Sequence, residues 1–564
     1  MELVPPSPTK KFGELLLDRD LISENQLSEA LLQQTASGKR LGTLLVELGA
    51  LDERTVTFLL AAQFGIEVVD LRKVLPQPDA LALVPEAIAR ALNAIPLRIV
   101  DSKLEIAVAD PADQKIVDDL TSAAGRQLIL AIASPTDIRR TIDNSYRALA
   151  GIESHVEAFV KEDSARKAVA PQLQDVSETA PVVKVVNLMI TQGLRDRASD
   201  IHIEPQEGRM RIRYRIDGAL HDVLALPDSM SAALVSRIKI MASMNIVERQ
   251  RPQDGQIELN IDGRPLDIRV STTPTIWGEK AVLRLLDKSK PLFHLEELGM
   301  PEDVQSVYKG LVSAPYGMMI CAGPTGAGKT TTLYATLSEI NSAERNVMTI
   351  EDPVEYVFPS INQIQIREQA GVTFAGGLKS ILRQDPDVIL VGEIRDVETA
   401  RIAVQSALTG HFVLSSIHAT DSVSALLRFL DMGIEAFLVA SAMTGIVGQR
   451  LMRRICSHCK APHNPTPDEL AFFTESGGKA NTKFMHGKGC NFCSQTGYQE
   501  RIGVYEMLQI TQEVKQLIVR HATHEKIMQI ALKQGMKPMR GQAITLVEQG
   551  VTTVSEVLRS IYML

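Results

Sequence analysis

Residues Gly323 to Thr330 read Gly-Pro-Thr-Gly-Ala-Gly-Lys-Thr, which fits the phosphate-loop pattern G-x-x-x-x-G-K-[ST] at every position. In such a loop the backbone N–H groups surround a phosphate, and glycines let the backbone approach the anion closely. We expect Lys329 to reach the β- and γ-phosphates of ATP and Thr330 to hold Mg²⁺. The predicted contacts are Gly323, Pro324, Thr325, Gly326, Ala327, Gly328, Lys329, Thr330 and Thr331.

A second acidic feature follows the apolar run Asp387 to Val391, which is typical of a buried parallel strand. Ligands of open α/β sheets bind at the carboxyl ends of such strands. Gly392 takes the position where an aspartate usually holds Mg²⁺, so we expect Glu393 to organise the ion or its water shell. The alternative is a surface carboxylate that only follows a strand.

Three carboxylates lie within the five residues from 351 to 355. Hydrolysis of a γ-phosphate needs an acceptor that orients water, and Glu351 and Glu355 are the candidates. His418 follows the strand-like run Phe412 to Ile417, where it would face the γ-phosphate and sense the state of the nucleotide. A structural histidine and a solvated acidic cluster are the alternatives.

Four arginines alternate with apolar residues between Arg209 and Ile216. On a strand they would all face one side of the sheet. A solvated sheet face explains this pattern. A guanidinium row that reaches the triphosphate of a neighbouring subunit explains it equally well, and Arg213 and Arg215 are then the catalytic candidates.

Two cysteine pairs, Cys456/Cys459 and Cys490/Cys493, form CxxC motifs with thirty residues between them. Four thiolates in two such pairs suit tetrahedral Zn²⁺ in a closed structural site. Redox pairs or disulfides are the alternatives, and a cytosolic setting disfavours disulfides.

The elements that must position these residues indicate an α/β fold. Tyr316 to Ala322 is a strand candidate before the phosphate loop, and Thr331 to Ile340 is a helix candidate after it. Met210 to Ile216, Gln256 to Ile261 and Leu266 to Val270 are further strand candidates. Gly433 to Gly448, the most apolar stretch, is predicted to be a buried helix.

Length and composition place the chain among multidomain globular proteins. It has 564 residues, 45% of them hydrophobic, and a net charge of −8. The acidic balance argues against nucleic acid as the main partner. The N-terminus has no apolar core of signal-peptide length and no apolar run reaches spanning length, so we expect a cytoplasmic protein.

Composition shifts predict four regions. They are an N-terminal docking or regulatory module over 1–150, a linker over 151–180, a second N-terminal α/β domain over 181–290, and an ATPase domain over 291–564 that carries a zinc subdomain at 455–495. The module opens with an internal repeat, in which the segment from Phe12 resembles the segment from Leu41.

Together these motifs resemble the assembly and secretion ATPases of type II secretion systems and type IV pili. The resemblance rests on the phosphate loop, Thr349–Tyr356, Ile389–Asp396, Thr409–Asp421 and the segment Ala198–Pro205, and the tetracysteine insert is typical of the extension branch. It implies a RecA-like phosphate-loop ATPase core, preceded by a PAS-like α/β domain and a helical and α/β N-terminal module.

The resemblance also implies a homo-hexamer that binds ATP, Mg²⁺ and Zn²⁺ at the inner-membrane periphery. Its partners would be a platform protein in the membrane and cytoplasmic secretion or pilus components, and through them pilin-like subunits. The second repeat, from Arg40 to Gln63, is similar to a module that binds cyclic di-GMP. The first repeat departs from it at Lys11 and Asp20, so messenger binding and simple docking both stay open.

Two other functions remain as alternatives. A DNA-translocating or conjugation-type secretion ATPase would need a basic channel, which the acidic charge disfavours. A non-catalytic scaffold that binds a second messenger would not need the intact phosphate loop or Glu393.

Overall fold

A computed structural model describes residues 12–562 except 20, 38, 72–73, 75, 147–151, 167–179, 262, 288–293 and 480. Lys11, Asp20 and much of the predicted linker over 151–180 therefore lie outside the described residues. The described part is an α/β protein, as the sequence predicts.

The strands of the described part are β1 Ala94–Val100, β2 Lys103–Val108, β3 Leu128–Ile132, β4 Ala198–Gln206, β5 Arg209–Ile216, β6 Ala219–Pro227, β7 Gln253–Ile261, β8 Arg264–Thr275, β9 Gly278–Asp287, β10 Gly317–Ala322, β11 Val347–Glu351, β12 Asn362–Gln365, β13 Val388–Val391, β14 Phe412–Ile417, β15 Met443–Ile455, β16 Lys460–Pro462, β17 Met485–Gly487 and β18 Tyr498–Gln509.

The helices before the phosphate loop are α1 Phe12–Leu17, α2 Glu24–Ser37, α3 Leu41–Glu47, α4 Glu53–Phe64, α5 Pro78–Leu81, α6 Glu86–Ala91, α7 Gln114–Ala124, α8 Pro135–Ser145, α9 Ile152–Arg166, α10 Pro181–Arg195, α11 Ser231–Met241 and α12 Glu302–Val312. Those after it are α13 Lys329–Ile340, α14 Phe374–Ile381, α15 Val397–Leu408, α16 Ser422–Asp431, α17 Ala436–Ala442, α18 Pro467–Glu475, α19 Gln512–Val519, α20 His524–Lys533, α21 Met539–Glu548 and α22 Val554–Val557.

Contacts between residues divide the chain into two compact units. The first comprises Met1–Ile257, Ile268–Leu285 and Gly489–Thr496, and the second comprises Glu258–Asp267, Leu286–Lys488 and Gly497–Leu564. Each is described by itself below.

The first unit opens with helices α1 to α4, which pack around Leu16, Leu44 and Leu45. The internal repeat is visible in their contacts, because Gly13 lies against Leu27 and Gly42 lies against Val56. A three-stranded sheet in the order β1-β2-β3 follows, and then the greater part of a six-stranded sheet in the order β6-β5-β4-β9-β8-β7. The strands predicted around residues 210, 256 and 266 are confirmed as β5, β7 and β8.

The second unit is built on a seven-stranded sheet in the order β12-β11-β13-β14-β10-β15-β18. Strands β10 to β15 pair with one another in parallel, and β18 runs antiparallel to its neighbour β15. Strand β10 is buried along its whole length, which explains its continuous apolar sequence. Helices cover both faces, with separate apolar clusters around Ile350 and Tyr334.

The helix predicted over Gly433 to Gly448 is wrong in its second half. Helix α17 ends at Ala442, and β15 begins at Met443. Strand β15 forms ladders with both β10 and β18, and these backbone pairings outweigh a helical preference. Close packing contributes too, since a Cβ on Gly445 would lie 2.6 Å from Met507 Cε and 2.7 Å from Leu311 Cδ1.

Among the described residues, no helix combines the length and the apolar character needed to cross a bilayer.

Candidate functional site

The phosphate loop joins β10 to α13 at the carboxyl edge of the seven-stranded sheet. Gly328 is the N-cap of α13 and has a φ of 85°, a conformation that strains any residue with a Cβ. At Gly323 a Cβ would lie 2.7 Å from the Gln449 carbonyl oxygen and 2.8 Å from the Ala327 Cβ. Both glycines are therefore required by the loop itself. The first N–H groups of α13 have no helical partner, and they favour an anion here.

Lys329 is the first residue of α13, and its ammonium group turns back over the loop. Its Nζ donates to the Gly323 carbonyl at 2.8 Å and to the Pro324 carbonyl at 3.0 Å. Burial lowers the pKa of Lys329, although the charge of Glu393 opposes this shift. Thr330 is exposed next to it, as a residue that binds a ligand must be.

Glu393 lies two residues beyond the end of β13, at the same sheet edge. One carboxylate oxygen pairs with Arg395, and the other lies 3.5 Å from Nε2 of His418, which follows β14. The side chain of Glu393 is 14% exposed and that of His418 is 46% exposed. Burial and the Lys329 charge lower the pKa of His418, which favours the neutral imidazole.

Glu351 is the last residue of β11 and is buried. Its carboxylate accepts hydrogen bonds from the Tyr334 hydroxyl, from Thr349 Oγ1 at 2.5 Å and from Gln363 Nε2 at 3.2 Å. The Tyr334 hydroxyl also accepts from the Glu355 backbone N–H at 3.1 Å. Tyr334 belongs to α13, so it links the helix of the phosphate loop to the acidic segment. Glu351 is held by neutral groups and is 4% exposed, whereas Glu355 is partly exposed.

The alternating arginines of β5 lie on one sheet face, as predicted, but carboxylates of the same unit pair with three of them. Arg213 forms two hydrogen bonds with Glu204, at 2.8 and 2.9 Å. Arg211 is paired in the same way with Asp222, and Arg215 lies 3.6 Å from Asp200. Burial raises the pKa of Glu204, yet hydrogen bonds from Arg213 and Lys280 outweigh it and hold this pKa at about 2.

The four cysteines of the two CxxC motifs form one cluster. The sulfur atoms of Cys456, Cys459, Cys490 and Cys493 all lie within 4.8 Å of one another, and none of the four is in a disulfide. Four sulfur donors in this arrangement fit a tetrahedral zinc ion. Cys321, the fifth cysteine, is buried in β10, and burial raises the pKa of its thiol to about 12.

Two residues that the sequence reading missed, Gln449 and Arg450, lie against the phosphate loop. Gln449 Nε2 donates to the Ala327 carbonyl at 2.6 Å, and its Oε1 accepts from Cys321 Sγ at 3.0 Å. Arg450 Nη2 donates to the Thr420 carbonyl at 2.7 Å. The available signal was a polar pair at the end of a long apolar run.

Comparison with known proteins decides the family. The family model described as "Type II/IV secretion system protein" matches residues 175–559, and the model of the MshEN domain matches residues 64–151. The chain belongs to the type II/IV secretion ATPase family. It is 40% identical to the type IV pilus assembly ATPase PilB of Myxococcus xanthus, over 97% of this chain and 98% of that one. It is 38% identical to the type II secretion system protein E of Xanthomonas campestris pv. campestris, over 98% of both.

A solved structure, the ATPase DotB of Legionella pneumophila, is 20% identical to this secretion ATPase. It matches 66% of this chain and 94% of its own, with a TM-score of 0.49. The family membership identifies the chain as an ATP hydrolase, in agreement with the phosphate loop and the α/β core. The roles of the individual site residues stay predictions.

Proposed function

We propose that this protein is a hexameric motor which hydrolyses ATP to power the assembly of type IV pili or type II secretion pseudopili at the inner membrane. The phosphate loop at the sheet edge, with Lys329 and Glu393 beside it, is the observation that carries the proposal. Full-length similarity to relatives named for both processes supports it. Its partners are a platform protein in the membrane and cytoplasmic components of the same system.

At the site, the N–H groups of the loop and the Lys329 ammonium bind the triphosphate of the substrate, and Thr330 would hold Mg²⁺. A bound Mg²⁺ would supply positive charge against the charge that develops on the phosphate oxygens. Glu393, 3.5 Å from Nε2 of His418, accepts the proton of the attacking water. Glu351 fixes the acidic segment against α13, because the Tyr334 hydroxyl bonds both the Glu351 carboxylate and the Glu355 backbone N–H.

Lys329→Ala tests the site. We expect it to lose nearly all ATP turnover while thermal unfolding of the nucleotide-free protein stays cooperative, because within the described residues the Lys329 ammonium donates to two carbonyls of its own loop. Phosphate release and calorimetry measure both quantities. Normal turnover in this variant would remove the assignment. Sedimentation with a non-hydrolysable ATP analogue then tests the hexamer.

We propose that the cysteine cluster holds one structural Zn²⁺. Metal analysis of freshly purified, reduced protein should find about one zinc per chain. A chelator should lower the unfolding temperature of the wild type and leave Cys456→Ser, which already lacks one ligand, less affected. Reduced protein that contains no zinc would contradict this assignment.

Binding of cyclic di-GMP by the N-terminal module stays a prediction. Arg40 of the second repeat is exposed at the start of α3 and pairs with Asp110 and Asp113. A phosphodiester would have to displace these carboxylates. Calorimetric titration of the wild type and Arg40→Ala with cyclic di-GMP separates messenger binding, which Arg40→Ala should weaken, from a docking module that binds none.

A further inference from the structure

Arg450 spans the edge of the sheet at the point where the phosphate loop begins. It belongs to β15, and the sheet order there is β14-β10-β15. Its Nη2 donates to the Thr420 carbonyl, which lies beyond the end of β14. The side chain therefore passes the end of β10, and its Nη1 lies 3.8 Å from the position of a Cβ built on Gly323.

The guanidinium group of Arg450 is buried, and Glu506 and Asp421 act on its charge without forming an ion pair with it among the described residues. Only 6% of the residue is exposed, and among the described residues it forms no ion pair and its Nε has no hydrogen-bond partner. Its other bonds are to the backbone carbonyls of Thr420 and Gln449. Burial lowers the pKa of Arg450.

The carboxylates close to Arg450 form their hydrogen bonds with other groups. Glu506 accepts from the backbone N–H and the hydroxyl of Ser422, at 2.7 and 2.8 Å. Asp421 caps α16 and lies 3.0 Å from Nε2 of His524. A buried charge whose hydrogen bonds go only to carbonyls costs the fold free energy, so its placement beside the phosphate loop indicates a function at this site.

The other end of Arg450 is tied to the segment that carries His418. Thr420 is two residues after His418, whose Nε2 faces Glu393. Lys329 and Arg450 repel each other in the absence of phosphate, and a triphosphate in the loop removes this repulsion.

We propose that Arg450 is a positioning residue for ATP hydrolysis, which ties the segment His418–Thr420 to the start of the phosphate loop. When phosphate occupies the loop, Arg450 holds this segment so that His418 stays against Glu393. The inference rests on hydrolysis at this site, which Lys329→Ala tests separately.

The test uses the full-length protein with Arg450→Gln and Arg450→Lys. The control is Arg454→Gln, which removes an exposed arginine from the same strand. We expect Arg450→Gln to lower kcat about tenfold or more and to leave KM within about threefold, because the substrate still binds while the segment is misplaced. Arg450→Lys should keep the fold and also lose turnover, and Arg454→Gln should match the wild type.

A double-mutant cycle with His418→Gln separates positioning from general damage. If Arg450 acts through this segment, the double variant loses little more turnover than the worse single variant. Multiplied losses would overturn the proposal. So would a rise in KM alone, which indicates a direct nucleotide contact, or the loss of cooperative unfolding in both Arg450 variants, which indicates a structural group.

Discussion

The charged groups at the phosphate loop and the arginines of β5 differ in the partners that their hydrogen bonds join them to. On β5, Arg213 and Arg211 each pair directly with a carboxylate, Glu204 and Asp222. At the phosphate loop, Arg450 bonds to carbonyls, and the buried carboxylate of Glu351 accepts from hydroxyls and an amide.

The difference separates charges that are neutralised within the fold from charges that remain to act on a ligand. A paired arginine must leave its carboxylate before it can bind a phosphate, whereas a cation held by carbonyls keeps its field. Glu393 lies between these cases, because one of its oxygens pairs with the exposed Arg395 and the other faces His418.

We expect the largest effect from a substitution that removes the carboxylate of Glu393 beside the phosphate loop. Glu393→Gln keeps the shape of the side chain but removes the base, so we expect turnover to fall by about a hundredfold or more while nucleotide binding persists. Phosphate release and nucleotide titration measure the two quantities. Turnover near that of the wild type would show that Glu393 is only a surface carboxylate after a strand.

A smaller effect on turnover is expected from the arginines of β5, which are paired with carboxylates. We expect Arg213→Gln to lower turnover about tenfold, because this arginine would leave Glu204 for the triphosphate of a neighbouring subunit. Arg211→Gln is the matched control, since its partner Asp222 is 64% exposed. Equal losses in both variants would assign the effect to the charge of the face, and no loss in either would make it a solvated sheet face.

A smaller effect is expected where neutral groups hold a charge. Tyr334→Phe removes the hydroxyl that donates to Glu351, and it should cost about 1–3 kcal/mol of stability and lower turnover several-fold. Tyr308→Phe is the control, because it removes a buried hydrogen bond of 2.6 Å to Thr336 on the same helix without touching Glu351. A similar loss of turnover in both variants would assign the effect to packing around α13.

The smallest effect concerns the pH dependence of the Glu204 pair. The pKa of Glu204 is about 2 in the fold and near 4.5 when unperturbed, so the ionised carboxylate stabilises the fold fully at pH values above the unperturbed pKa. This stabilisation is lost as the pH falls from the unperturbed pKa to the lower pKa of the folded state. We expect the unfolding temperature of the wild type to exceed that of Glu204→Gln near neutral pH and to approach it in acid. The exposed Glu207→Gln should show no such convergence.

Local sequence was sufficient where a motif determines its own geometry. The strand, the loop and the helix around Lys329 could be predicted because glycine spacing and an apolar run leave few conformations. The strand Phe412 to Ile417 was predicted with its observed bounds. The cysteine cluster could be predicted from spacing, since two CxxC motifs in one chain are typical of a single four-thiolate site.

The partners with which charged side chains pair could not be predicted from local sequence. The alternation on β5 predicted which way Arg213 points, but not that Glu204 of β4 would meet it, because register between strands depends on the whole sheet. Glu351 was predicted to orient water, yet Tyr334, Thr349 and Gln363 enclose it. Each of these contacts joins separate elements.

The sequence by itself determined the chemistry of this protein, which is a phosphate loop, an acidic strand end and two cysteine pairs whose thiols fit a metal ion, since each depends on residue types at short spacing. Only the tertiary structure decided which charges are neutralised and which remain. It made a strand of Met443 to Ile455 by pairing it on both sides, and so carried Arg450 to the start of the phosphate loop. Burial and hydrogen-bond partners depend on distant segments of the chain, and these meet only when the sheet has formed.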